Sequence, residues 1–175
     1  MTDNVIQMKQ NNVLRVKLKT ADVLDKDGKI LEEGQFTGEY LEFDMEDIEL
    51  PLRLDECDFK HRKNREWLKN QYLIIDKKQD IKGKRLLSKN EEDKIKALQE
   101  FYKREIETLD LFLGKNGTQK ILNAMNRNPY LTMFDDIVEL LDPILPQIKR
   151  TIDDIPKRIK EKYSDNKESD IIDQS

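Results

Sequence analysis

Several residue types and motifs on which enzymes and secreted proteins depend are scarce in this 175-residue chain. It has one cysteine, Cys57, and one histidine, His61, so an intrachain disulfide cannot form and these two side chains alone cannot hold zinc. Phosphate-binding loops, dinucleotide-binding glycine patterns and nucleophile elbows are absent. No run of 18 apolar residues occurs, so we expect no transmembrane helix. Residues 1–4 lack the basic start of a signal peptide, so we expect a reducing cytoplasm.

Charged side chains are abundant and unevenly distributed along the chain. They make up 39% of the residues, and the net charge is −4 at pH 7. Residues 1–55 hold 7 basic and 13 acidic side chains, whereas residues 56–90 hold 11 and 5. The basic segment 60–85 is consistent with nucleic-acid binding, but because the whole protein is acidic we favour a solvated helix face. Its basic residues are Lys60, Arg62, Lys63, Arg65, Lys69, Lys77, Lys78, Lys82, Lys84 and Arg85.

The first third of the chain predicts a small antiparallel sheet. Apolar and charged residues alternate over residues 13–19, which is the period-2 pattern of a half-buried strand. Residues 23–31 predict a tight hairpin, since two apolar pairs flank a turn with Gly28, and glycine tolerates positive φ. Residues 36–43 predict another strand, and residues 47–54 a further one that a proline interrupts.

From residue 56 onward the periodicity becomes helical. Ser88 and Glu91 predict a capping box, in which each side chain accepts a hydrogen bond from a free amide at the start of a helix. Gly114 should end that helix in a left-handed conformation, and Gly117 begins a short helix. The apolar stripe of the long helix consists of Ile95, Leu98, Tyr102, Ile106, Leu109 and Phe112.

Two further helices are predicted towards the C-terminal end. Apolar residues recur at helical spacing over residues 131–141, up to an Asp-Pro break, and again over residues 144–163. Pro156 lies within the second stripe and should kink it. On the far side of that helix, Asp153 should pair with Lys157 and Asp154 with Arg158, each four residues on.

These patterns together predict an α+β protein with a small N-terminal antiparallel sheet or hairpin and a mostly helical C-terminal part. Residues 1–55 form the β-rich region and residues 56–163 the helical region. Residues 164–175 are polar and acidic, so we expect a disordered tail there.

Cys57 and His61 are the candidates for nucleophilic catalysis, because a spacing of four residues places both on one face of a helix. A cysteine nucleophile also needs a group that orients the imidazole and an oxyanion pocket, and the sequence suggests neither. The carboxylates are spread over solvated helix faces and predict no general-acid pair. We therefore expect surface or semi-buried positions for both residues, and no catalytic site, cofactor or metal.

A distinctive succession of motifs runs from residue 43 to the C-terminal helices. Phe-Asp-Met-Glu-Asp at residues 43–47 is followed by a charged helix and then by Glu-Ile-Glu-Thr-Leu-Asp-Leu-Phe-Leu-Gly at 105–114. A Thr-Gln-Lys-Ile-Leu helix at 118–122, an Asn-Arg-Asn turn at 126–128 and a long Leu/Ile helix come next. Over residues 36–163 this succession resembles the tail assembly chaperones of long-tailed bacteriophages that infect low-GC Gram-positive bacteria.

The resemblance implies a non-catalytic role during virion assembly in the host cytoplasm. Such chaperones coat the hydrophobic, helical tape-measure protein, keep it soluble and help tail-tube subunits polymerise around it, and they are absent from the finished particle. The implied partners are the tape-measure protein and the tail-tube protein, with self-association as a further contact and with no membrane. Two alternatives stay open: a structural tail or connector component of the virion, and a nucleic-acid-associated regulator that uses the basic segment 60–85.

A chaperone of this kind needs an apolar groove between helices that accepts a helix of its client. The C-terminal helices supply more apolar positions than one internal seam requires, although such residues more often form the core. The candidate partner-binding residues are Leu131, Phe134, Ile137, Leu141, Ile144, Leu145 and Ile148.

Overall fold

The computed structural model describes residues 13–164, in which four strands precede five helices. The strands are β1 (Val13–Lys19), β2 (Val23–Leu24), β3 (Ile30–Glu32) and β4 (Phe36–Asp44). The helices are α1 (Leu50–Asp76), α2 (Lys89–Leu113), α3 (Gly117–Ala124), α4 (Met133–Leu141) and α5 (Leu145–Ser164). This order confirms the predicted α+β class. The predicted tail lies outside the described residues, apart from Ser164 at the end of α5.

The strands form one long β-hairpin arm. β1 pairs with β4 in antiparallel register, with Val16 opposite Leu41, and β2 pairs with β3 near the tip. Between the two pairs the Thr20 amide donates to the Gln35 carbonyl at 2.9 Å, which joins them. Gly28 in the tip turn has φ of 78°, as predicted for a tight turn. The predicted strands 13–19 and 36–43 and the hairpin between them are therefore confirmed.

The predicted strand over residues 47–54 is wrong, because α1 begins at Leu50. Pro51 lies in the first turn, where its missing N–H removes no intrahelical hydrogen bond. Asp47 stabilises this start, since its carboxylate accepts from the Arg53 guanidinium at 2.5 Å and from the Glu49 amide at 2.9 Å. These two hydrogen bonds hold the pKa of Asp47 below its usual range. The helical part thus begins at Leu50 and not at residue 56.

α1 and α2 pack antiparallel, joined by the Lys-rich connector 77–87. At the connector end, Lys94 Nζ lies 2.5 Å from Asp76 Oδ1. The predicted capping box is confirmed: the Glu91 amide donates to Ser88 Oγ at 3.2 Å, and the Ser88 amide donates to Glu91 Oε2 at 2.7 Å. α2 ends at Gly114, whose φ of 84° is positive as predicted but whose ψ of 173° lies outside the left-handed helical region.

The buried face of α2 differs from its predicted apolar stripe. Leu109 and Phe112 are buried as expected, but Ile95 is 45% exposed. The face against α1 instead includes Glu105 and Thr108, both almost fully buried. A period of three to four residues predicts which residues share a face, whereas the partner helix decides which face is covered.

The turn between α2 and α3 is held by a single carboxylate. Asp110 Oδ1 accepts from the Thr118 amide at 2.9 Å and from the Thr118 hydroxyl at 2.6 Å, and Oδ2 accepts from the Asn116 amide at 3.2 Å. These bonds satisfy free donors at the start of α3. The short helix predicted to begin at Gly117 is confirmed.

α4 and α5 follow as predicted. α5 is helical through Pro156, and Lys157 Nζ lies 3.5 Å from Asp154 Oδ1. Lys157 therefore pairs with Asp154, three positions before it, and the predicted pairs Asp153–Lys157 and Asp154–Arg158 are wrong. Within residues 13–164, no helix combines the length and the apolar character that crossing a membrane requires.

One hydrophobic core joins the base of the hairpin arm to the helices. Leu18, Leu41 and Phe43 of the strands lie in the same buried cluster as Leu109 and Ile137 of the helices. The ring of Phe43 packs 5.2 Å from that of Phe112, measured between centroids. The β-rich and helical regions therefore share a single core.

Candidate binding groove

An apolar groove lies between the first turns of α1, the end of α2, α4 and the start of α5. Its volume is about 530 Å³. Two carboxylates and one ammonium are its charged members, and the remaining lining side chains are apolar. The lining residues are Pro51, Leu54, Asp55, Cys57, Asp58, Leu109, Phe112, Phe134, Val138, Leu141, Leu145, Ile148, Lys149 and Ile152.

The groove has a buried floor and a half-exposed rim. Leu109, Phe134 and Leu141 are at most 5% exposed and belong to the core, so they form the floor. Leu145 is partly buried and Ile152 is 40% exposed, so they form the rim. An apolar side chain that enters the groove would thus remove apolar surface from water on both partners.

The structure brings four of the seven predicted partner-binding residues together at this groove: Phe134, Leu141, Leu145 and Ile148. The other three lie elsewhere. Ile137 is 1% exposed and belongs to the core, and Ile144 packs against that core. Leu131 precedes α4, is 59% exposed and does not line the groove.

Two of the four helical walls of the groove were missed by the sequence prediction. The wall from α1, with Pro51, Leu54 and Cys57, comes from a stretch that was predicted in part as a strand. The wall from α2, with Leu109 and Phe112, lay within the predicted apolar stripe. The periodicity of that stripe does not predict which helices pack opposite it. A helical start with Pro51 at its first turn is the signal that would have identified the α1 wall.

The apolar surface of the groove continues along α5. Ile152 and Ile155 border a narrow crevice beside Ile48, in the turn that precedes α1. Beyond this point Ile159 and Tyr163 are 52% and 68% exposed. α5 therefore presents an apolar stripe that neighbouring elements cover only in its first half.

A buried polar cluster lies between α1 and α2 behind the groove floor. His61 Nδ1 donates to Glu105 Oε2 at 2.6 Å, and Asn64 Nδ2 donates to Glu105 Oε1 at 2.7 Å and to Thr108 Oγ1 at 3.1 Å. Both oxygens of the buried Glu105 carboxylate are thereby satisfied, as a buried charged group requires.

The polar cluster also supports the groove from behind. The imidazole of His61 stacks on the ring of Phe134, with 3.8 Å between centroids and 4° between planes. His61 Nε2 lies 3.6 Å from Asp135 Oδ1. Phe134 belongs to α4 and forms part of the groove floor. Because it stacks on His61 of α1, the position of α4 depends on the α1–α2 pair.

The expectation that Cys57 and His61 lie at the surface or semi-buried is wrong, since they are only 2% and 6% exposed. Their polar atoms face α2 separately: Cys57 Sγ donates to the Thr108 carbonyl at 2.9 Å, and His61 bonds to Glu105. Burial raises the pKa of the Cys57 thiol to about 11, so it stays protonated and weakly nucleophilic at neutral pH. Among residues 13–164, no cluster of three His, Cys, Asp or Glu side chains is arranged to hold a metal ion.

The basic segment 60–85 is divided between α1 and the connector. Lys60 pairs with Glu56 at 2.7 Å, Arg62 pairs with Asp58, and Lys63 Nζ lies 4.6 Å from the centroid of the Phe59 ring. Its connector lysines are exposed. Part of the positive charge is thus neutralised locally, which fits the solvated face that we favoured.

Comparison of the chain with protein-family models, with curated proteins and with solved structures finds no match. The observations that bear on function are therefore the apolar groove, the exposed stripe of α5 and the order of motifs in the sequence.

Proposed function

We propose that this chain is a tail assembly chaperone of a long-tailed bacteriophage and that it holds an amphipathic helix of the tape-measure protein without catalysing a reaction. The observation that carries the proposal is the apolar groove, with its buried floor and half-exposed rim, which runs on into the uncovered stripe of α5. Helix-in-groove recognition uses this combination, since a helix places anchors at i, i+3, i+4 and i+7 into one continuous apolar channel.

The chemistry of the lining favours a protein helix over a polar metabolite. Small-molecule sites combine an apolar wall with several convergent polar groups that fix the orientation of the ligand. In this groove, three of the 14 lining residues are charged: Asp55, Asp58 and Lys149. The thiol of Cys57 is not free to orient a ligand, because it already donates to a backbone carbonyl. Apolar anchors need no such groups, because burial alone stabilises them.

In this role the protein acts in the host cytoplasm before the tail is complete. It keeps the tape-measure helix soluble while tail-tube subunits polymerise around it, and it leaves before the particle is finished. The charged faces of α1 and α5 would keep the complex dispersed in solution.

Co-expression with the tape-measure protein of the same phage tests the proposal. We expect the soluble fraction of the tape-measure protein to rise several-fold with the wild-type chain. Ile152→Glu places a charge on the groove rim and should abolish the gain. Leu140→Glu is the matched control, since Leu140 is exposed on α4 and does not line the groove.

An unchanged soluble fraction with the wild-type chain, or an equal loss for both folded variants, contradicts the proposal. Circular dichroism of each purified variant establishes that it is folded. Mass spectrometry of purified particles separates this role from a structural one, because a chaperone is absent from the virion and a connector is present.

A further inference from the structure

The four charged side chains nearest to the apolar stripe of α5 are basic. With about 100° of rotation per residue, Ile152, Ile155, Ile159 and Tyr163 fall within an arc of about 80°. Lys149 and Lys160 flank this arc on one side, and Arg158 and Lys162 flank it on the other. Two carboxylates of α5, Asp154 and Glu161, lie on the back of the helix, and Asp153 lies farther from the stripe than Lys149 and Lys160 on the same flank.

These four basic groups are exposed and have no carboxylate partner among the described residues. Lys149, Arg158, Lys160 and Lys162 are all exposed. The ion pair recorded within α5 joins Lys157 to Asp154 at 3.5 Å, and both residues lie on the back of the helix. Charges beside an apolar seam determine which helix binds and in which orientation. A helix of opposite charge binds more tightly, and a helix of like charge is repelled.

We infer that the client helix that docks on α5 carries Asp or Glu along both borders of its apolar face, an inference that rests on the proposed function. α5 would then discriminate among amphipathic helices by charge, while the groove supplies apolar affinity. The stripe from Ile152 to Tyr163 is about 17 Å long, which corresponds to three turns of a partner helix.

The shape of the stripe favours a helix over a membrane surface. The steps of three, four and four residues place β-branched Ile152, Ile155 and Ile159 in a narrow seam of the coiled-coil type. Helices that lie on membranes present a broad apolar face rich in Trp, Phe and Leu. The stripe also continues into a concave groove, which a lipid surface does not match.

Two synthetic peptides test the inference on the full chain. Both form the same three-turn amphipathic helix with an identical Ile/Leu stripe, and they differ in having Glu or Lys at the border positions. We expect the Glu peptide to bind on the order of tenfold tighter than the Lys peptide at low ionic strength, as measured by fluorescence anisotropy. The difference should shrink at about 0.5 M salt, because the border charges are exposed to solvent.

Two double variants with equal charge changes provide the control. Arg158→Glu/Lys162→Glu reverses two border charges and should abolish or invert the preference for the Glu peptide. Arg150→Glu/Lys157→Glu reverses two charges on the back of α5 and should leave the preference unchanged. If both double variants lose the preference equally, overall charge is responsible and the inference is wrong.

The remaining outcomes separate the inference from the proposed function. Equal binding of both peptides overturns the charge selectivity, while Ile152-dependent rescue of the tape-measure protein would still stand. Binding to vesicles of anionic lipid without binding to either peptide overturns the inference in favour of a membrane. Self-association that Arg158→Glu/Lys162→Glu abolishes, without peptide binding, overturns it in favour of a second copy of the chain.

Discussion

α2 and α5 are both amphipathic helices in the sequence, yet the fold treats them in opposite ways. The buried face of α2 contacts α1, and it includes polar Glu105 and Thr108. The stripe of α5 is purely apolar, but Ile159 and Tyr163 at its far end remain more than half exposed.

This difference separates two uses of a helix face. Both oxygens of the buried Glu105 accept hydrogen bonds, from His61 and Asn64, and such directional contacts favour one register of α2 on α1. An apolar seam has no such directional requirement, because burial of apolar surface depends little on orientation. The α1–α2 pair is thus held by directional polar contacts, whereas the far end of α5 leaves apolar side chains exposed.

The largest effect should come from breaking the polar cluster of the scaffold. Glu105→Ala removes the acceptor of both His61 and Asn64 and leaves buried polar groups unpaired, so we expect a loss of about 3–4 kcal/mol in the free energy of unfolding. Urea denaturation followed by circular dichroism measures it. Glu107→Ala, at an exposed position of the same helix, is the control and should change stability by less than about 0.5 kcal/mol. Equal effects would show that Glu105 is not a buried anchor.

A smaller contrast is expected between two isoleucines of α4 and α5. Ile137→Ala opens a cavity in the core and should cost about 2–4 kcal/mol of unfolding free energy. Ile159→Ala removes the same atoms from a side chain that is 52% exposed and should cost less than about 1 kcal/mol. Thermal or urea unfolding of both variants measures the difference. A large loss from Ile159→Ala would mean that the α5 stripe is covered within the chain.

The smallest effect concerns pH and the Cys57 thiol. Its pKa is raised from 9.0 to about 11 by burial, so between these values the unfolded chain releases a proton that the folded chain retains. Stability should therefore fall as the pH rises through this window, and more steeply for the wild type than for Cys57→Ala. Urea midpoints at pH 8 and pH 10.5 for the two proteins check this sign. Identical slopes would contradict the burial of the thiol.

Local signals identified most of the elements and some of the groove. The alternation over 13–19, the Ser88–Glu91 capping box and the start of α3 depend on a few neighbouring residues and were confirmed. Pro51 was misread because a proline is compatible both with an interrupted strand and with the first turn of a helix. The preceding residues 44–49, Asp-Met-Glu-Asp-Ile-Glu, do not distinguish the two.

The groove was only partly predictable because its walls come from four separate helices. Phe134, Leu141, Leu145 and Ile148 follow from the periodicity of α4 and α5. The opposing wall depends on how α1 and α2 pack, and their packing depends on Glu105, whose burial no periodic pattern indicated.

The sequence by itself determined the positions of the turns, the helix caps and the apolar residues that recur at helical or strand spacing. These features depend on the conformational preferences of adjacent residues. Only the tertiary structure decided which apolar residues are core and which remain accessible. Ile137 and Ile159 occupy equivalent stripe positions in sequence, yet one is 1% and the other 52% exposed. The physical reason is that burial depends on what lies opposite a side chain, and the residues opposite are supplied by distant segments of the chain.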